Sequence, residues 1–140
     1  LPSDKREVIK EMWTYALESL ASKYKNNQSK QQYLDDVLYL KNFMNKQFKD
    51  DKFFASTGFR ISHAQKSLSV YLKYLWCTDK IEEPPCCPID AIILQKVSIN
   101  NVAWTAIDSI NALENIIDIV AEVAAKERKT IAKWELANFN

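Results

Sequence analysis

Apolar residues in the first part of the chain recur at three- and four-residue intervals. Val8, Ile9, Met12, Trp13, Ala16, Leu17, Leu20, Ala21 and Tyr24 share one side of a helix predicted over 4–24. Asp4 and Glu7 sit where its positive end favours carboxylates. Asn26 and Asn27 interrupt the pattern, and Ser29 followed three residues later by Gln32 reads as a capping box for a second helix. Its stripe runs through Tyr33, Leu34, Val37, Leu38, Leu40, Phe43, Met44 and Phe48. Over 50–58 the periodicity is lost, and Gly58 with Ser56 and Thr57 as possible cap residues predicts a loop or a short turn of helix. A third helix follows, with Ile61, Ala64, Leu68, Tyr71, Leu72 and Leu75 inside a sector of about 100°.

Pro84 and Pro85 remove backbone donors and force extended geometry on their neighbours, so 78–87 is predicted as a loop. Pro88 is placed at the first position of a short helix, with Asp90 near its start and Ile89, Ile92, Ile93 and Val97 buried. A strand through Ile92, Ile93 and Leu94 is the alternative. From 101 onward Trp104, Ile107, Ile110, Leu113, Ile117, Val120, Ala124, Ile131 and Trp134 keep helical spacing with no proline or glycine. Some thirty residues of helix, about 45 Å, are predicted. The polar cluster 126–129 marks where this helix breaks or projects into solvent. The expectation is all-α: one domain over 1–140, a bundle of about five helices with a long C-terminal helix, through which the chain can dimerise.

Composition sharpens this picture. With 140 residues, 47% of them hydrophobic, the chain can bury one core. A single glycine leaves tight β-turns and glycine-rich phosphate loops without material, which excludes Walker-type and Rossmann nucleotide binding. Residues 1–80 carry 14 Lys/Arg against 9 Asp/Glu and residues 81–140 carry 5 against 9, so a bipolar molecule is expected, far less basic than a dedicated nucleic-acid binder. No apolar run reaches the roughly 18 residues of a membrane span, and no signal-peptide stretch is seen. Three cysteines, two of them adjacent, fit a reducing compartment, so a cytoplasmic protein is expected.

The third helix carries the candidate chemistry. Opposite its core stripe lie His63, Lys66, Ser67, Val70, Lys73, Tyr74 and Cys77, with Arg60 at the margin and Trp76 at the edge of the core sector. An imidazole, a phenol and a valine together are unusual on a plain solvent face, so a second contact surface is expected. The binding residues assigned are His63, Lys66, Val70, Lys73, Tyr74 and Trp76, aided by the loop 82–87. The reading requires that His63, Val70 and Tyr74 not be packed inside the monomer. The plainer explanation is a helix between two neighbours, with lysines snorkelling to water. The alternative function is nucleic-acid binding, with Arg60, Lys66 and Lys73 on phosphates.

Arg60 and His63, as Arg-x-x-His, resemble the paired arginine and histidine of the HEPN ribonucleases, which are all-α proteins. That family usually places four to six residues between the two, against two here. The resemblance implies a histidine acting as base on a ribose hydroxyl and an arginine stabilising the phosphate. His63 is the only histidine, and a structural role is its plainer alternative.

A zinc site from His63, Cys77, Cys86 and Cys87 has suitable donors. On a continuous helix, however, His63 and Cys77 are about 21 Å apart. No metal or cofactor is therefore assigned. Cys87, just ahead of a predicted helix start, is expected to have a lowered pKa and to be a redox candidate. The doublets Asp35/Asp36, Asp50/Asp51 and Glu82/Glu83 are expected on solvated surface, since neighbours on a helix diverge. Among four tryptophans, Trp76 and Trp134 are the interface candidates and the others are assigned to core. Together these features predict a non-enzymatic interaction domain that docks a protein, or a second copy, through the second face of the helix near 60–77.

Overall fold

The computed structural model describes residues 3–48 and 58–139. Six α-helices, α1 (Ser3–Ala21), α2 (Lys30–Phe48), α3 (Ile61–Cys77), α4 (Ala91–Lys96), α5 (Ile110–Lys126) and α6 (Ile131–Phe139), are joined by loops and two 3₁₀ turns, Ser22–Lys25 and Trp104–Ala106. Among the described residues there is no strand, and the helices form one small bundle. The predicted loop over 50–58, its caps Ser56 and Thr57, and the doublet Asp50/Asp51 lie outside the described residues, except for Gly58.

The predicted stripes form the core, except that Val8 and Leu38 are exposed. Tyr33, Leu34, Val37, Leu40 and Met44 of α2 meet Ile61, Ala64, Leu68 and Leu72 of α3, all at 1% exposure or less. Each of the Leu, Ile, Val and Met side chains among them contributes about 2 kcal/mol through the apolar area it removes from water. Leu113, Ile117, Val120 and Ala124 close the core from α5. α3 is the central element, packed against α1, α2, α5 and the 104–106 turn.

Helix ends explain the boundaries. Ser29 Oγ accepts from Gln32 N at 3.0 Å, as the capping box predicts. Asp90, not Pro88, begins α4: its carboxylate accepts from Ile93 N at 3.0 Å. Pro88 lies two residues ahead of the cap, and Ile92 is exposed while Ile89, Ile93, Leu94 and Val97 are buried.

The long C-terminal helix is corrected into two pieces. Lys129 N donates to Ala124 O at 3.0 Å and Arg128 N to Ala125 O at 2.9 Å, with Arg128 at φ 58°. This is a Schellman stop, and it falls inside the polar cluster 126–129. Upstream, Ser109 caps α5 by accepting from Ala112 N at 3.1 Å, so Trp104 precedes the helix.

The prolines do shape 78–87 into a loop, but it turns inward. Cys86, Cys87, Pro88 and Ile89 are buried. Gln65 of α3 acts as a surrogate strand for it, donating to Ile89 O at 2.6 Å and accepting from Ile89 N at 3.0 Å. Asp36 also departs from its expected solvated place. It is 3% exposed and accepts from Tyr24 Oη at 2.6 Å, Lys23 Nζ at 2.7 Å and Gln32 Nε2 at 3.0 Å.

Candidate interaction surface

The first turn of α3 is fixed by the segment before α5. Ile61 N donates to Asp108 Oδ1 at 3.0 Å, Ser62 N to Ile107 O at 2.9 Å, and Ser62 Oγ to Thr105 O at 3.1 Å. These bonds satisfy donors that a helix start leaves unpaired, and Asp108 meets the positive end of the dipole. Arg60 Nη1 donates to the same Thr105 carbonyl at 2.9 Å. The anchored segment stands Trp104 beside α3, with its ring 6.4 Å from His63 and 5.9 Å from Lys66 Nζ.

α1 supplies the opposite wall. Trp13 Nε1 donates to Ser67 Oγ at 3.1 Å, and the indole meets Phe59 edge-on at 5.3 Å. Between the walls lies an apolar hollow of about 680 Å³, lined by Trp13, Leu17, His63, Lys66, Ser67, Val70, Tyr71, Tyr74 and Trp104. Val70 and Tyr74, 46% and 58% exposed, stand as a ridge beside it. Across the ridge a second hollow of about 330 Å³ is bounded by Lys73, Cys77, Pro88, Glu135 and Phe139.

Of the six binding residues assigned from sequence, His63, Lys66, Val70, Lys73 and Tyr74 are brought together on this furrowed face. Trp76 is not: at about 100° per residue it points some 120° or more away from Val70 and Tyr74, and it borders neither hollow. Trp134 is corrected from interface to core, 2% exposed, with Nε1 donating to Glu127 Oε2 at 2.8 Å. The loop 82–87 does not line the hollows either; Pro88 does. Trp13, Leu17 and Trp104 are the residues that sequence reasoning missed. The available signal was Ser109, a cap residue that ends the preceding segment and frees Trp104 to pack sideways.

The charged members of the face are engaged within the chain. Lys66 Nζ lies 2.7 Å from Asp90 Oδ2, and Lys73 Nζ lies 3.0 Å from Glu135 and 4.7 Å from the Phe139 ring centre. A phosphate would have to displace those carboxylates. His63 Nδ1 accepts from Arg60 N at 3.4 Å, capping the helix, and the ring lies 5.8 Å from Phe59. Burial, then the neighbouring Arg60, hold its pKa below the ordinary value. With Nδ1 occupied as acceptor, the neutral ring carries its proton on Nε2, which makes that atom a donor and not a base.

The cysteines separate in the same way. α3 is continuous, so His63 and Cys77 occupy its two ends. Among the described residues no cluster of metal-ligating side chains is present. The lowered pKa expected of Cys87 is reversed: its thiol interacts with Cys86, is buried and faces Glu135 and Asp90, all of which push it well up. The helix that was to lower it starts only at Ala91, beyond the Asp90 cap.

No model of a known protein family, no curated protein and no solved structure matches this chain. Fold and face together define a small all-α domain with an exposed apolar furrow along its central helix. No described helix is long and apolar enough to cross a membrane.

Proposed function

We propose that the chain is a non-enzymatic interaction domain that docks a protein partner through the α3 face, with the Val70–Tyr74 ridge and its flanking hollows as the contact. One observation carries this: a large, aromatic-walled hollow lies open beside a ridge of two exposed apolar side chains. Exposed aromatic and aliphatic anchors beside a preformed recess are the usual seat of binding energy at protein interfaces. Three free cysteines support a reducing, cytoplasmic setting. Nucleic-acid binding and HEPN-like cleavage by Arg60 and His63 gain less support, since Lys66 and Lys73 are paired with carboxylates and His63 is engaged as a cap.

A photo-crosslinking residue in place of Tyr74 tests the proposal in the living source cell. Protein adducts should form and should disappear when Val70→Arg is added. Absence of adducts, or adducts indifferent to Val70→Arg, removes the docking face.

A further inference from the structure

We infer that Cys86 and Cys87 form a redox-sensitive latch: their free thiols seat the 82–89 loop against α3, and oxidation to a disulfide between these neighbours unseats it. Both thiols are free and buried, at 3% and 1% exposure, while Cys77 is exposed at the end of α3. The Cys86 thiol folds forward along the chain and donates to Cys87 O at 3.4 Å, and the Cys87 thiol interacts with Cys86. Each thiol is thus within reach of the other.

Chain geometry sets the two redox states apart. Successive Cα atoms across a trans peptide stand about 3.8 Å apart, whereas disulfide-bonded residues usually stand about 4.4–6.8 Å apart. Closing the ring therefore twists the backbone on either side of the Cys86–Cys87 peptide, which is trans here. The prolines deny that twist a local outlet. Pro85 and Pro88 have fixed φ, and Pro88 also holds Cys87 to extended backbone. The displacement is passed on to Ile89, whose N–H and carbonyl are both clamped by the Gln65 side chain. It also reaches Asp90, which pairs with Lys66 at 2.7 Å and caps α4. Pro88 lines the smaller hollow on the α3 face, so that hollow changes shape with the loop.

The oxidant is a low-molecular-weight disulfide of the glutathione type. The thiolate of one cysteine attacks it, forming a mixed disulfide and expelling one glutathione thiolate. The second cysteine attacks the mixed disulfide, forming the Cys86–Cys87 bond and expelling the other glutathione. Two electrons and two protons pass from the cysteines to two glutathione thiols. In the seated loop both thiols are buried, so the exchange runs through local opening, and the latch answers to sustained oxidation, not to a brief pulse.

The full chain carrying Cys77→Ser, incubated with glutathione disulfide and followed by mass spectrometry and amide hydrogen exchange, tests the latch. The mass should fall by two hydrogens without a lasting glutathione adduct, and fragmentation should place the loss at Cys86 and Cys87. Exchange at Ile89 N and Ile93 N should rise at least about tenfold, while amides in the middle of α2 and α5 keep their rates. Dithiothreitol should restore both mass and protection.

Thiols that stay reduced even in urea just below the unfolding transition overturn the inference, as does a stable mixed disulfide with glutathione. A Cys86–Cys87 bond that leaves Ile89 exchange unchanged overturns it too. So does acceleration spread equally through α2 and α5, which marks loss of the whole fold, or a change that dithiothreitol does not reverse.

Discussion

His63 holds its place through two demands that only the neutral imidazole meets. Nδ1 must accept the Arg60 N–H, and the ring must sit between Phe59 and Trp104 beside the Arg60 guanidinium. Protonation adds a proton to the accepting nitrogen and a second positive charge next to the first. The folded pKa is accordingly depressed, so below the unfolded value of about 6.5 the unfolded chain binds the proton more readily. Stability is thus lost as pH falls below that value and levels off beneath the folded pKa. Melting temperatures at pH 7 and pH 5 should drop further for the wild type than for His63→Gln, whose amide does not titrate in this range. Equal drops would show that His63 contributes nothing to the acid sensitivity.

Helix ends are where residue chemistry becomes architecture, and here they obey an unusual economy. α3, α4 and α5 all finish in the same motif, with Asp79, Ser98 and Arg128 at φ 61°, 64° and 58°. The companion bonds are Lys80 N to Leu75 O, Ile99 N to Leu94 O and Lys129 N to Ala124 O. Glycine is the usual occupant of that left-handed position, and none of these three sites carries it, so the stops have no glycine signal in the sequence. The apolar spacing of α5 and α6 is nearly in phase, which is why the pattern from 101 to 134 reads as one helix in which only the polar cluster 126–129 marks the break. Arg128→Gly should relieve left-handed strain and raise stability by about 0.5–1 kcal/mol, after the extra entropy glycine brings to the unfolded chain. Urea unfolding measures it; a loss of stability would mean that the Arg128 side chain does more at this turn than tolerate the geometry.

The same contrast governs the candidate site. His63, Val70 and Tyr74 were legible because a helical period and residue type suffice to place them on one face. The walls of the hollow were not, because Trp13 comes from α1 and Trp104 from a segment pinned by Asp108 and Ile107, and only tertiary packing unites them. Asp36 failed for a related reason. Sequence shows an acidic doublet, while the fold brings Tyr24 and Lys23 to one member of it.

Across the whole molecule, the opposite charge excesses of the two halves are interleaved by the fold. Lys30 meets Glu114 and Asp118, each at 2.9 Å, Lys41 meets Asp108 at 3.4 Å, Lys66 meets Asp90, and Lys73 meets Glu135. Four lysines of the basic half thus spend their charge on five carboxylates of the acidic half, which opposes the simple bipolar molecule expected from the counts. The Lys30 and Lys41 pairs are solvent-exposed, so water and salt screen them. Lys73–Glu135 differs, because the Glu135 side chain is only 2% exposed and the pair ties the central helix to the last one. Lys73→Met leaves a buried carboxylate without its cation, a loss of about 2–3 kcal/mol once the partial exposure of Lys73 is allowed for. Adding Glu135→Gln removes the stranded charge, so the double variant should be more stable than Lys73→Met alone, with a coupling of at least about 1 kcal/mol. Urea denaturation of the four proteins closes the cycle. Strictly additive losses would place the join between the halves in apolar packing alone and reduce this ion pair to an accident of proximity.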